Sequence, residues 1–390
     1  MCIRDSANTV ALGSDAVALG GGTSADGRVS AKGAVTLTNL QGNYNASTVT
    51  AINGTSKVWL VANGPATVAD SALSLTGNRQ EAVAVGSGAA SDLSIKGNAV
   101  GTGAGIASVQ MNDATSSTGA VLNVPEARVA VAGNLSGGSA TASDNLQRAI
   151  AYGNSATSTL GVQAGNVTVN PSTDTASTIT ANLGNNLPFD NNQATQPAVN
   201  ASYAILGSQS IQSTVGATAV SVNSIAATVS GDVASASLGN DRNAFVAASY
   251  GNDAANGLKL GANQIASSDF ASVANVTNVQ SVAGANTKVE ANTVGGNVVR
   301  TVVDGGVQDA SVSSSGNTTQ ALAYGSRATG NTVDVTATSI GTAGLVLSGA
   351  TVTGGVAATD ASFSVQNAQS GQGTVAATRS GGPEVLTQIG

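Results

Sequence analysis

Short runs in which every second residue is apolar cover most of this chain. Over residues 9–19 the sequence T-V-A-L-G-S-D-A-V-A-L alternates around a Gly-Ser-Asp turn. Successive side chains of a strand point to opposite faces, so a period of two closed by turn residues predicts strands. The same pattern recurs at 34–40, 58–62, 72–75, 82–85 and 93–95, and it is densest at 215–229. Residues 146–152 come nearest to a helical period. Gly153 and their alignment with strand segments elsewhere assign them to a strand as well.

A longer pattern is laid over this alternation. Residues 317–328 read N-T-T-Q-A-L-A-Y-G-S-R-A, and 78–89, 145–156 and 243–254 share their frame. The frame is Asn, three residues, Ala, one, a small residue, one, Gly, then Asn or Ser, one, Ala. An aliphatic residue follows the Gly by seven positions at Leu93, Leu160 and Leu258, and by eight at Val333. Partial copies stand at 16–20 and 204–207. The marker glycines Gly20, Gly86, Gly153, Gly251 and Gly325 are 66, 67, 98 and 74 residues apart.

An array of strand segments predicts an all-β fold, a parallel β-helix (β-solenoid) of stacked short coils. The looseness of the interval suggests a unit of roughly 20 residues, with about three coils between marked copies. On that count 19 or 20 coils would form a rod about 90 Å long at the sheet spacing. The structural repeat positions are Asn78, Asn145, Asn243 and Asn317 together with Gly86, Gly153, Gly251 and Gly325. Gly and Asn are expected at corners that need positive φ, with the asparagines bonded to one another along the axis.

Residues 1–6, M-C-I-R-D-S, differ in texture and read as a non-native leader. Solenoid repeats are expected over 7–169 and 200–390 as one continuous domain. Residues 170–199 carry Pro171, Pro188 and Pro197 among Asn pairs, and read as an irregular insertion or loop because Pro removes a ladder donor.

Composition narrows the kind of core. Only 9% of the residues are charged and 3% aromatic, while Gly numbers 49. Few large side chains exist to fill a thick core, so burial has to come from many thin layers of small residues. Disordered chains are poor in β-branched residues and rich in charge or Pro, and this chain is neither. The net charge of −7 with scattered basic residues argues against nucleic acid, whose phosphates select clustered Lys and Arg. His is absent and Cys2 has no partner, so neither a disulfide framework nor a Cys/His metal site is expected, and no cofactor. No run approaches eighteen apolar residues, so no membrane insertion is expected.

The A-x-A-x-G-[NS]-x-A core, seen at Ala82, Ala84, Gly86 and Ala89 and again at Ala321, Ala323, Gly325 and Ala328, resembles the head repeats of trimeric autotransporter adhesins. More broadly, the chain resembles the repetitive β-strand surface proteins of bacteria, including adhesins, fibre proteins and holdfast-anchor-like proteins. That resemblance implies an exported, multimeric, adhesive or scaffolding role at the cell surface. The expected function is an extracellular structural protein forming a stiff, self-associating fibre, with its own copies as partners. An adhesin stalk or head that grips polysaccharide or a host surface through residues 170–199 is the alternative.

A β-helical polysaccharide-degrading enzyme is a further alternative, and it would need two carboxylates at a suitable separation. Asp190, Asp241, Asp253 and Asp269 are the candidates, against the simpler role of capping turns. Without a recurring carboxylate pair, no enzyme is expected. Asp304-Gly305-Gly306 with Asp309 is faintly like a calcium-binding turn, but its spacing does not recur. Tyr152, Tyr250 and Tyr324 occupy equivalent sites before the marker Gly, so they are expected to stack, as corner packing or as an adhesive stripe.

Overall fold

The computed structural model of the chain describes residues 2–13, 16–17, 22–25, 29–33, 35–43, 45–64, 67–101, 103–169, 177–181, 198–222, 224–267, 272–296, 298–341, 350–352, 359–381 and 385–390. Every regular element among them is a strand. The chain is an all-β parallel β-solenoid.

One coil is the whole interval between successive motifs. The long strands Cys2–Gly13, Arg79–Val100, Leu146–Val169, Ala244–Ser267 and Thr318–Ala328 lie side by side in one sheet. Arg79 pairs with Leu146, Leu146 with Ala244 and Ala244 with Thr318. Each long strand leads into a return strand, as in Ala104–Asn112, and then through Ser117–Asn123, Glu126–Val131, Asn134–Ser136 and Ser139–Ser143 to the next long strand. Equivalent segments of every coil pair in parallel, so six stacked sheets enclose the core.

The expected coil of roughly 20 residues is therefore wrong, and the rod of about 90 Å with it. Motif equivalents advance by 67, 98 and 74 residues per coil. Five levels separated by about 4.8 Å stack to only about 20 Å, whereas a 22-residue strand runs on the order of 70 Å. The molecule is wider than it is tall. Each coil turns several times, and every turn resembles a coil boundary when only the alternation is read.

Alternation does fix which side chains fill the coil. In Thr214–Val222 every second residue is buried, and these are Val215, Ala217, Ala219 and Ser221. The motif alanines Ala82, Ala84, Ala149, Ala151 and Ala247 face inward with Leu122, Val129, Ile225 and Phe245 in one apolar lobe. Leu93, Leu160 and Leu258 stack over one another in a second lobe with Ile106, Ile205 and Val276. Small residues on the long strand suit a layer only one side chain thick.

Residues 2–6, expected as a leader, extend the first long strand, with Cys2 opposite Ala84. Of the segment 170–199, residues 170–176 and 182–197 lie outside the described residues. Within it, Ser177–Ala181 pairs antiparallel with Ala198–Ile211 and with Val29–Gly33.

Candidate functional site

Between the two lobes the coil narrows to a waist, where the repeat glycines lie, while the repeat asparagines stand at the corners where the long strands begin. The marker glycines Gly86, Gly153 and Gly251 sit where the long strand closes on the strands opposite. A Cβ on Gly153 would stand 2.6 Å from the carbonyl oxygen of Gly251 and 2.4 Å from Ile211 Cδ1. On Gly251 it would meet Gly325 O at 2.4 Å. Close approach of backbone, rather than positive φ, requires these glycines. The corners that need positive φ fall one residue before the asparagines, at Gly77 (71°), Asp144 (56°), Arg242 (55°) and Gly316 (64°).

The four asparagines stand directly over one another. Nδ2 of Asn78 donates to Oδ1 of Asn145 at 2.9 Å, Asn145 to Asn243 at 2.9 Å, and Asn243 to Asn317 at 3.0 Å. Each backbone N–H of Asn78, Asn145 and Asn243 bonds to the same oxygen as its own side chain does. The residue after the marker Gly makes a second line across the waist. Asn112 donates to Asn154 at 2.7 Å, Asn154 to Asn252 at 2.9 Å, and Asn252 to Ser326 at 3.2 Å.

A third line was not anticipated from the sequence. Gln41, Gln110, Gln209, Gln280 and Gln369 form a five-rung ladder on the return strands. Gln110 Nε2 donates to Gln41 Oε1 at 3.2 Å. Gln209 donates to Gln110, Gln280 to Gln209 and Gln369 to Gln280, each at 2.7 Å. The same amides reach across the waist to carbonyl oxygens of the long strand, from Gln209 to Asp253 at 2.9 Å and from Gln280 to Arg327 at 2.8 Å. The rungs at Gln110, Gln209 and Gln280 thus each tie two sheets and two coils at once. A buried amide is costly unless it is satisfied, so this network fixes the axial register. Its sequence signal is an aliphatic residue four positions before each Gln, at Leu37, Ile106, Ile205, Val276 and Val365.

On the outer face of the long-strand sheet the tyrosines stack. Tyr152 and Tyr250 have ring centroids 4.8 Å apart, and Tyr250 and Tyr324 are 5.3 Å apart with planes 2° from parallel. Arg327 lies over the Tyr250 ring at 4.1 Å and bonds both oxygens of Asp253, at 2.8 and 2.7 Å. The Asp253 carboxylate holds the Arg327 guanidinium well above its ordinary pKa. Burial pushes the Tyr250 phenol up, and the Arg327 charge opposes it in part. Ile150 and Ala248 complete an apolar strip beside the stack.

Of the candidate carboxylates, the two among the described residues, Asp241 and Asp253, are each held by separate partners. Asp253 is engaged by Arg327. Asp241 accepts from Ser313 Oγ at 2.9 Å and from the backbone N–H and hydroxyl of Ser315 at 2.8 and 2.9 Å, which closes a turn. Asp190 and Asp269 lie outside the described residues. Among the described residues no three acidic, Cys or His side chains come together as a metal site. There, too, no helix is long and apolar enough to cross a membrane.

No protein-family model, no curated protein and no solved structure matches the chain.

Proposed function

We propose that the protein is an extracellular structural element whose coils stack, copy upon copy, into a stiff surface fibre. Its role is mechanical rather than chemical. The observation that carries this reading is the state of the last coil. Val365, Val375 and Ile389 are 46%, 48% and 53% exposed. Their partners one coil earlier, Val276, Val289 and Val303, are fully buried. Among the described residues no strand lies over these inward positions. Among the described residues this face is a core cut across, bordered by edge strands, and both favour another β layer. The in-line Asn, Gln and Tyr columns make each level a template for the next, which suits a second copy to the task.

Electron microscopy of the purified protein at high concentration tests the proposal. Filaments with an axial repeat of about 4.8 Å are expected. Replacing Val375 and Val385 by Asp should abolish them while leaving the coil fold measurable by circular dichroism. A monodisperse monomer at every concentration would refute self-stacking.

A further inference from the structure

The outer face at the corner between two of the sheets carries a groove that the fibre reading does not use. It has a volume of about 410 Å³ and is lined by Val124, Glu126, Arg128, Val222, Thr228 and Arg300 around a buried Ala226. Arg128 pairs in register with Ala226, and Ala226 with Arg300, so two arginines stand on successive sides of one small residue. Trp59, in register with Arg128 on the other side, continues the column and is 48% exposed.

The charges here are uneven. Glu126, the acidic group in the lining, faces Lys57 at 3.9 Å, and that ammonium also lies over the Trp59 ring at 4.2 Å. Arg128 makes one long hydrogen bond, to the Thr228 hydroxyl at 3.5 Å. Arg300 is half-buried, and its Nε is shielded from solvent without a hydrogen-bond partner. A chain of net charge −7 thus keeps two guanidinium groups in one groove with no carboxylate among the described residues bonded to either. A buried donor left unpaired costs free energy, and a guanidinium fork is shaped for a planar or tetrahedral oxyanion.

We propose that this groove binds an anionic polysaccharide, with Arg128 and Arg300 on its carboxylate or sulfate groups and Trp59 packing against a sugar ring. The groove spans three coils and the aromatic lies on the same line, so it fits an extended chain better than a free small anion. Thr228 adds a hydroxyl for the sugar. The inference does not rest on self-stacking, because these side chains line the outer side of the solenoid, although Arg300 is in register with Leu386 of the last described coil and Trp59 lies on the edge strand of the first.

Trp59 is the sole tryptophan, so its emission reports on the groove directly. The full chain is titrated with polygalacturonate, dextran sulfate, neutral dextran and single-stranded polythymidylate, with calorimetry and Trp59 fluorescence in parallel. Binding of one or both anionic glycans with a change in Trp59 emission is expected, and the two probes separate carboxylate from sulfate recognition. The double variant Arg128→Ala/Arg300→Ala should bind at least about tenfold more weakly. Lys96→Ala/Lys259→Ala, which removes the same charge from the exposed long-strand face, should bind as the parent does. Circular dichroism and a cooperative melting transition establish that both variants fold. Equal loss in the lysine control, equal binding of neutral dextran or polythymidylate, or no binding of any probe would overturn the proposal.

Discussion

Removing the middle rung of the glutamine ladder should show how much the waist contributes to stability. Gln209 is buried, donates to Gln110 and to the Asp253 carbonyl, and accepts from Gln280. Gln209→Ala deletes three bonds and leaves the Gln110 oxygen and one Gln280 N–H without their ladder partners. Stranded buried groups cost about 1–3 kcal/mol each, and the vacated volume adds to that, so about 3–5 kcal/mol is expected in all. Gln369→Ala, at the exposed last rung, removes one bond to Gln280 and should cost only about 1 kcal/mol. Gln209→Glu separates packing from hydrogen bonding. Its carboxylate would face the Gln110 oxygen in a dry site, which raises its folded-state pKa above the unfolded value of about 4.3. The Glu variant is therefore least impaired below that value and loses stability as pH rises through the folded pKa. Urea denaturation at several pH values, read as midpoint shifts at constant slope, measures all three variants. Equal costs at rungs 209 and 369, or a Gln209→Ala cost within about 0.5 kcal/mol of zero, would refute the account.

Three further outcomes follow from the geometry. Gly153→Ala should destabilise by at least about 1–3 kcal/mol, because the added carbon meets a backbone oxygen that cannot move aside, whereas Gly161→Ala, with nothing within 4 Å, should be neutral or stabilising on thermal melting. Burial raises the pKa of Tyr152, Tyr203 and Tyr250, so their contribution to stability is complete below the unfolded value of about 10 and is lost as pH rises through the folded values. In an ultraviolet titration, ionisation of these three should coincide with loss of the β-sheet signal; ionisation near pH 10 with the fold intact would contradict this. At the opposite extreme, the hydrogen bonds from Arg242 lower the Asp144 pKa, so that pair stabilises the fold above the ordinary carboxylate range and ceases to do so on acidification. Asp144→Asn should flatten that part of the pH profile, and an unaltered profile would show the pair to be inert.

Much of the architecture is legible in the residues, and what is not has a physical cause. The alternation identifies the strands, and the recurring frame around Gly86, Gly153, Gly251 and Gly325 marks one position per coil. The coil length is hidden because turns such as 132–133, inside a coil, use the same residue types as turns that close one. Only pairing between residues 67 to 98 apart distinguishes them. The glutamine column is hidden for a related reason. Its intervals of 69, 99, 71 and 89 residues differ from those of the asparagines, since insertions fall between the two columns within a coil. The groove at Arg128 and Arg300 has no signature at all along the chain. Its two arginines come together because their separation of 172 positions amounts to two turns of the solenoid.

The amide lines also give the solenoid a grain. Along the asparagines, N–H groups point toward higher residue numbers, from Asn78 through Asn145 and Asn243 to Asn317. Along the glutamines they point the other way, from Gln369 back to Gln41. The line through Asn154, Asn252 and Ser326 runs with the first asparagine row, and every row distinguishes the top of the stack from its bottom. A layer arriving upright continues each row, with a glutamine N–H meeting the Gln369 oxygen. An inverted layer sets acceptor against acceptor. Any assembly grown on this face is vectorial, with chemically unlike leading and trailing ends that elongate at unequal speeds.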